Sequence, residues 1–157
     1  MSETDSKPTT YFIPALAGLY AALNPLAWPL LRGAVGLFLV PHGAQKLFGW
    51  FGGGGIAGTA KFFSAMGLEP AVPLVYLVGA VEFFGGLLLA IGLLTRPAAA
   101  ASAVLLLVAA FDIHLAKGFF WSNNGYEYPL LWAVAAIFFA IKGGGACSVD
   151  AKIGKEF

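Results

Sequence analysis

One carboxylate lies in the middle of a long apolar stretch, and it is the group in this sequence best suited to carry chemistry. Glu82 lies near the midpoint of the run from Ala71 to Leu94 and carries the only charge in it. That run covers roughly 36 Å as a helix at ~1.5 Å per residue, enough to cross a bilayer with some tilt. A charge at that depth costs at least about 2.5 kcal/mol if it faces lipid. Glu82 is therefore predicted to face other helices, which must supply a compensating group.

The first apolar segment, from about Trp28 to Phe48, carries candidate partners for this carboxylate. Arg32, His42 and Lys46 fall within about 80° of one another on a helical wheel at ~100° per residue, so they share one face. We predict that Glu82 pairs with Lys46 or His42. Glu82, His42 and Lys46 are the candidate catalytic residues. Lysine and histidine can donate hydrogen bonds to a carbonyl oxygen, and a buried glutamate can relay protons.

The third and fourth apolar segments bring further groups to the same half of the bundle. Asp112 and His114, near the end of the third, differ by about 200° on the wheel, so only one of them can point fully at the cluster. Glu127 and Tyr128 open the fourth segment. With His114 they are the candidate cofactor-binding residues, since aromatic and polar groups together suit a quinone headgroup.

The same residue types are compatible with other uses. In a purely structural interpretation, which stays open, these residues form a buried polar network that only fixes the register of the helices. Metal-ligand residue types are present at His42, Glu82, Asp112 and His114. No pair of these residues puts two ligands on one helix face, so no metal site is predicted. Haem with two histidine ligands would need His42 and His114 at one depth of the membrane, and the predicted depths of these residues meet that requirement only loosely. The single cysteine, Cys147, excludes an internal disulfide and has no histidine near it in sequence to activate it.

Composition places the chain among polytopic membrane proteins. Of its 157 residues, 59% are hydrophobic and 11% charged, and the mean hydropathy is +0.82. Soluble domains carry about 25% charged residues, so a water-soluble core of this length could not hide so much apolar surface. A net charge of +1 argues against nucleic-acid binding. The glycine run from Gly52 to Gly55 is not followed by the lysine and hydroxyl residue of a phosphate-binding loop.

The predicted fold is all-α, a bundle of four transmembrane helices preceded by a short N-terminal interfacial helix. The spans are expected at about residues 28–48, 71–94, 97–117 and 126–142, with a short interfacial helix in the loop at 59–66. The expected organisation is a polar tail and interfacial segment at 1–24, a membrane domain at 25–150 and a polar C-terminal tail at 151–157.

Basic residues favour cytoplasmic termini, because four spans place both ends of the chain on one membrane side. The terminal side would hold Lys7, Arg32, Arg96, Lys142, Lys152 and Lys155. The opposite side would hold Lys46, Lys61 and Lys117. The polar cluster around Glu82 then lies in the outer half of the bundle.

Several of these motifs, taken in order, resemble the DoxX/DoxD family of small membrane proteins. The matching pieces are H-G-A-Q-K-L from His42, G-A-V-E-F-F-G-G-L-L-L-A-I-G-L-L-T-R from Gly79, His114, N-G-Y-E-Y-P from Asn124, and G-x-x-S-V-D from Gly145. The resemblance covers about residues 31–150. It implies a four-helix membrane bundle associated with quinone-linked sulfur oxidation or with membrane complexes that handle thiol and oxidative stress.

The residues that correspond to the family pattern are His42, Lys46, Glu82, Arg96, His114 and Glu127. Arg96 is interpreted as a topology anchor. The leading hypothesis is a quinone-interacting subunit of an oxidoreductase in the bacterial inner membrane, in contact with lipids and a protein partner that supplies electrons. The rival hypothesis is a non-catalytic scaffold that recruits a partner, and a weaker one is a conduit for protons or small solutes.

Overall fold

The computed structural model describes residues 10–157, and that range is helical without any strand. The helices are α1 (Ala17–Phe48), α2 (Gly55–Ala65), α3 (Ala71–Ile91), α4 (Thr95–Lys117), α5 (Glu127–Lys142) and α6 (Val149–Ile153). Two of them contain a wider π-helical turn, α3 at Val81–Gly85 and α4 at Ala109–His114. The all-helical class predicted from the sequence is confirmed for the described residues.

Three described helices are long and apolar enough to cross a membrane. They are Pro14–Phe48 with 35 residues, Ala71–Ile91 with 21 and Thr95–Lys117 with 23. Helix α5 has 16 residues, which at ~1.5 Å per residue is about 24 Å, short of the ~30 Å hydrocarbon core. The structure therefore contains three candidate spans, one fewer than the sequence predicted.

The N-terminal part of α1 differs from its predicted form. A separate interfacial helix ending at Asn24 was expected, but α1 continues through Asn24, Pro25 and Pro29 without a break. Each proline removes one hydrogen bond, yet the alanines and leucines around them are strong helix formers that keep the helix intact. Residues 18–27 are exposed, and α1 joins the bundle at Trp28, whose Nε1 donates to the Gly143 carbonyl at 3.2 Å.

Glycines bring α1 and α3 into backbone contact. A Cβ added at Gly36 would lie 2.4 Å from the Gly86 oxygen, and one at Gly43 would lie 2.4 Å from the Phe83 nitrogen. Such distances leave no room for any side chain, so both positions require glycine. The two antiparallel helices are thereby held in one register, which sets Lys46 of α1 beside the π-helical turn of α3.

Small residues form the contact between α4 and α5. Ala99, Ala103 and Ala110 of α4 and Ala133 and Ala136 of α5 are buried. Alanine permits close helix approach where no hydrophobic effect drives helices together in lipid. Larger core side chains, Leu89 and Phe139, fill the space between this pair and the rest of the bundle.

The residues after α5 fold back over the Arg32 end of the bundle, and we call residues 143–156 the C-terminal strap. The Arg32 side chain, in a residue 3% exposed, donates to the carbonyls of Ala90, Gly144 and Cys147, the last at 3.1 Å. A buried guanidinium needs several acceptors, and three carbonyls from two different segments provide them here. Sequence interpretation had placed a tail after residue 150, but that residue lies inside α6.

Asp150 attaches the strap to the first turn of α4. Its carboxylate accepts from the Leu94 and Thr95 backbone nitrogens at 2.9 Å each and from Thr95 Oγ1 at 2.7 Å. The first N–H groups of a helix have no partner within it, so the carboxylate satisfies two of them. Burial alone would raise the pKa of Asp150, but these hydrogen bonds and the nearby Arg32 charge outweigh it and hold the pKa below its ordinary value.

Candidate functional site

Lys46 and Glu82 form a buried ion pair between α1 and α3. Lys46 Nζ lies 2.8 Å from Glu82 Oε1 and 2.7 Å from Oε2. The Glu82 side chain is 8% exposed and that of Lys46 is 21% exposed. The pairing predicted for Glu82 is therefore made with Lys46, and one side of the lysine reaches the bundle surface. A carboxylate at this depth keeps its charge only beside a cation, so the two groups depend on each other.

The hydrogen bonding of the pair is incomplete. Lys46 Nζ donates to Glu82 Oε1 and approaches the His42 carbonyl oxygen at 3.4 Å. Glu82 Oε2 is close to the ammonium, but it is fully buried and receives no well-aligned hydrogen bond. Buried polar atoms are almost always hydrogen-bonded. The ammonium therefore lies against both carboxylate oxygens, and it is the donor group that Oε2 faces.

Two of the remaining candidates on α1 and α4 lie away from the pair. His42 is exposed and approaches the pair through its backbone carbonyl alone, its imidazole making no hydrogen bond within the described range. Asp112 is also exposed, whereas His114 is partly buried. Of these two neighbours on α4, His114 is therefore the one that turns towards the protein.

The predicted cofactor-binding residues meet at the turn between α4 and α5. His114 Nδ1 lies 2.6 Å from the backbone carbonyl oxygen of Asn124. Glu127 Oε2 accepts a hydrogen bond from the Trp121 backbone nitrogen at 3.1 Å. The Tyr128 ring stacks on Trp121 with centroids 5.5 Å apart. Among residues 10–157, no hydrogen bond or ion pair links this group to Lys46 and Glu82. The structure thus separates the candidates into a charged pair and a turn cluster.

Aromatic residues that sequence reasoning did not select are neighbours of the ion pair along the chain. Phe83 follows Glu82, and Phe48 lies two residues beyond Lys46; their rings are 5.2 Å apart at centroid distance. Their meeting follows from the antiparallel register of α1 and α3, which a single segment of sequence does not reveal. Trp50 extends this cluster from the next turn, with its ring 4.9 Å from that of Phe48.

The strap holds a buried polar residue that sequence reasoning did not select as a candidate, Asp150. Asp150 and its neighbour Arg32 of α1 are both at least as buried as Glu82. The aspartate of the closing G-x-x-S-V-D motif was the available signal for Asp150. Within the described chain, no three His, Cys, Asp or Glu side chains are grouped closely enough to hold a metal ion. The chemical interest of the molecule is thus concentrated at the Lys46–Glu82 pair.

Comparison with known proteins places these features in a family context. The DoxX family model matches residues 27–115, which include both members of the ion pair. An uncharacterized protein of Haemophilus influenzae is 40% identical over 108 residues, covering 63% of this chain and 81% of that protein. The "Putative oxidoreductase CatD" of Bacillus subtilis is 32% identical, covering 77% of this chain and 82% of that protein.

A further relative comes from Escherichia coli. The "Inner membrane protein YqjF" is 35% identical over 112 residues, covering 69% of this chain and 82% of that protein. No solved structure matches the chain. The relatives are thus similar over most of their lengths. The region that matches the family model contains α1 from residue 27 onwards, α2, α3 and most of α4.

Proposed function

Since the chain belongs to the DoxX family, we propose that it is an inner-membrane subunit of a quinone-linked redox complex, in which the Lys46–Glu82 pair handles protons. The observation that carries this proposal is the buried ion pair between two apolar helices, whose lysine reaches the surface of the bundle. Ionisable groups within apolar spans are costly and are retained mainly for proton or substrate handling. The names of the relatives from B. subtilis and E. coli agree with a redox role and an inner-membrane location.

The proposed arrangement in the membrane has four spans and cytoplasmic termini. Helix α5 serves as the fourth span, with the aromatic turn before it at the outer headgroups and Lys142 at the inner ones. The part of α1 before Trp28 continues the helix beyond the hydrocarbon region into the inner interface. That placement is supported by the length of Pro14–Phe48, since 35 residues make about 52 Å of helix against a ~30 Å hydrocarbon core.

The proposed chemistry assigns a step to each member of the pair. Reduction of a quinone to a hydroquinone takes up two electrons and two protons. The electrons come from a redox partner subunit, and the protons pass from water through Glu82 to the two quinone oxygens. Lys46 donates a hydrogen bond to a quinone oxygen and stabilises the negative charge that develops there. His42, one turn away and exposed, supplies a second hydrogen-bond donor.

Replacement of the carboxylate by an amide tests the proposal. Glu82→Gln keeps the shape of the side chain but cannot relay a proton. Asp112→Asn is the matched control, because Asp112 is exposed on α4. After purification in native lipids, the wild type, the control and Glu82→Gln should all retain the quinone that Lys46 binds. The reduced fraction of the membrane quinone pool should change with Glu82→Gln and not with the control, because only Glu82→Gln loses the proton relay. An unchanged reduced fraction in Glu82→Gln would refute the role of Glu82 as a proton relay.

A membrane scaffold is the second candidate function. The observation that favours it is the structural use of His114, Glu127 and Tyr128, which hold the turn between α4 and α5. For a scaffold, a stoichiometric protein partner would co-purify without quinone. Gly86→Leu would then abolish assembly by separating α1 from α3, while Glu82→Gln and His42→Gln would leave redox activity in membranes unchanged.

A further inference from the structure

An open cavity lies where α2 meets the beginning of α3, and we call it the corner cavity. Its volume is about 580 Å³, and its polar lining comes from Lys61 and Ser64 of α2 and from Glu69 of the segment between the two helices. The remaining lining is apolar and includes Ala57 of α2 and Val72 of α3. Ligand pockets in proteins have volumes of roughly 300 to 1,000 Å³. The corner cavity is therefore large enough for a small polar group with an apolar attachment.

The two helices that form the corner cavity pack against each other through a small apolar cluster. Ala60 and Phe63 of α2 and Ala71 and Val75 of α3 are all buried in this cluster. The fold thus fixes the walls of the cavity before any ligand arrives. Preformed walls reduce the entropic cost of binding.

The corner cavity lies at the headgroup level of the membrane. Residues Ala71–Ile91 are a candidate span, and the first two of them, Ala71 and Val72, line the cavity. Lys61 and Glu69 are exposed on the segment that precedes this span. A cavity at the start of a span meets lipid headgroups on one side and the edge of the hydrocarbon region on the other.

Lys61 and Glu69 bring opposite charges to one cavity without neutralising each other. Within the part of the chain that the structure describes, neither residue forms an ion pair. Glu69 Oε2 accepts a hydrogen bond from the Ala71 nitrogen at 2.8 Å, which orients the carboxylate. A hydrogen bond from the Ser64 side chain and the one from Ala71 hold the pKa of Glu69 below its ordinary value. The cavity therefore offers an oriented anion and a separate cation to a ligand.

We propose that the corner cavity binds the phosphoethanolamine group of a phospholipid, in which a phosphate is joined through a short spacer to a primary ammonium. The phosphate accepts hydrogen bonds from the Lys61 ammonium, and the ethanolamine ammonium donates to the Glu69 carboxylate. The acyl chains leave the cavity along the apolar lining beside α3. The soluble ester O-phosphoethanolamine has the same polar chemistry, but only the lipid makes use of the apolar lining next to a span.

Charge complementarity favours this headgroup over two related ones. The headgroup of phosphatidylglycerol has no cation for Glu69, and its net negative charge is repelled by that carboxylate. The quaternary ammonium of phosphatidylcholine has no N–H group, so it cannot donate a hydrogen bond to Glu69. A phosphate with a primary ammonium is thus the combination that satisfies both charged residues of the cavity.

Native mass spectrometry of the full-length protein in detergent tests this inference. The protein is titrated with phosphatidylethanolamine, phosphatidylglycerol or phosphatidylcholine carrying identical oleoyl chains, so that only the headgroup differs. The wild type should bind phosphatidylethanolamine with a Kd at least about tenfold lower than that of either other lipid, because two charge-assisted contacts form instead of one. Lys61→Met and Glu69→Gln should each remove this preference. The amide of Glu69→Gln can still accept the hydrogen bond from Ala71, so the local backbone is preserved.

Control variants separate the cavity from a general effect of charge. Lys117→Met and Asp112→Asn remove an exposed cation and an exposed carboxylate of α4, and both should keep the preference for phosphatidylethanolamine. Ala57→Trp fills part of the cavity without changing either charge, so it should remove the preference. This variant keeps the test decisive should a charge variant fail to fold.

Several results would overturn the inference. Equal Kd values for the three lipids in the wild type would do so, as would a preference that persists in Lys61→Met, Glu69→Gln and Ala57→Trp. An equal loss of preference in the two controls would exclude the corner cavity as the site. Displacement of the lipid by O-phosphoethanolamine at equal concentration would overturn the lipid as the occupant and assign the cavity to the soluble ester. None of these measurements involves quinone, so their outcome is independent of the Glu82→Gln test.

Discussion

At the scale of single residues, Lys46 and Glu82 form a coupled unit. Each charge would be costly to bury alone, and their 2.7 Å contact offsets part of that cost. The lysine keeps access to the surface through its long stem, whereas the carboxylate is fixed in the π-helical turn of α3. π-Helical turns interrupt α-helices most often at functional sites. The glutamate is thus the fixed member of the unit and the lysine the movable one.

Stability measurements on paired variants test this coupling. Glu82→Leu removes the carboxylate and strands the Lys46 ammonium, so it should cost more free energy of unfolding than Glu82→Gln. Breaking one side of a buried pair costs about 3 to 5 kcal/mol, whereas replacing both sides by apolar groups is often near neutral. The double variant Glu82→Leu with Lys46→Met should therefore be more stable in detergent than Glu82→Leu alone. Equal instability of the double variant and the worse single variant would show that the two residues do not interact.

At the scale of elements, the C-terminal strap joins helices that have no covalent connection near their ends. Asp150 binds the first turn of α4, and Arg32 of α1 binds strap carbonyls. A second ion pair, between Arg96 and Glu156 at 2.8 Å, is exposed and contributes little. The buried contacts of Asp150 and Arg32 thus hold the ends of α1, α4 and α5 together.

The pH dependence of stability follows from the lowered pKa of Asp150. A carboxyl group whose pKa is lower in the folded state stabilises the fold above its unfolded pKa, about 3.9, and this contribution is lost as the pH falls through the folded value. At pH 7, Asp150→Asn should lower the free energy of unfolding by about 1 to 3 kcal/mol. Below about pH 3.9 the difference from the wild type should shrink.

Thermal unfolding in detergent at several pH values measures this effect, with Asp112→Asn as the control for loss of an exposed carboxylate. A difference between Asp150→Asn and the wild type that is the same at pH 7 and at pH 3 would contradict the assignment. The strap would then be held by Arg32 and by packing alone.

At the scale of the whole molecule, the two polar centres lie at different depths of one bundle. Arg32 and Lys46 are 14 positions apart on α1, roughly 21 Å at ~1.5 Å per residue. The strap closes the Arg32 end, while the Lys46–Glu82 pair lies towards the Phe48 end. Access to the pair is consequently from the Phe48 end or from the lipid beside it.

Labelling in intact cells determines which membrane side each end faces. With cytoplasmic termini, Ser122→Cys in a Cys147→Ser background should react with an impermeant thiol reagent, because residue 122 is exposed in the turn before α5. Native Cys147, which is exposed in the strap, should react only after permeabilisation. The opposite labelling would place the ion pair in the inner half of the membrane.

Much of the architecture could be predicted from sequence because it depends on local composition. Apolar length and low charge identified the membrane class, and the isolation of Glu82 in an apolar run identified a residue that needs a partner. The number of spans was less secure, since α5 is short, and the continuity of α1 through its prolines depends on helix-forming neighbours that outweigh a local breaker.

The arrangement of the candidate site depended on contacts between helices that are distant in sequence. Helical periodicity could place Lys46 and His42 on one face of α1, but only the register set by Gly36 and Gly43 against α3 brings Lys46 to Glu82 and leaves the His42 imidazole exposed. The same register joins Phe48 to Phe83. Likewise, burial of Asp150 requires the strap to fold back onto α4, a contact across 55 residues. Spacing along a chain determines which face of a helix a residue occupies, whereas tertiary packing alone decides which residues of other helices it contacts.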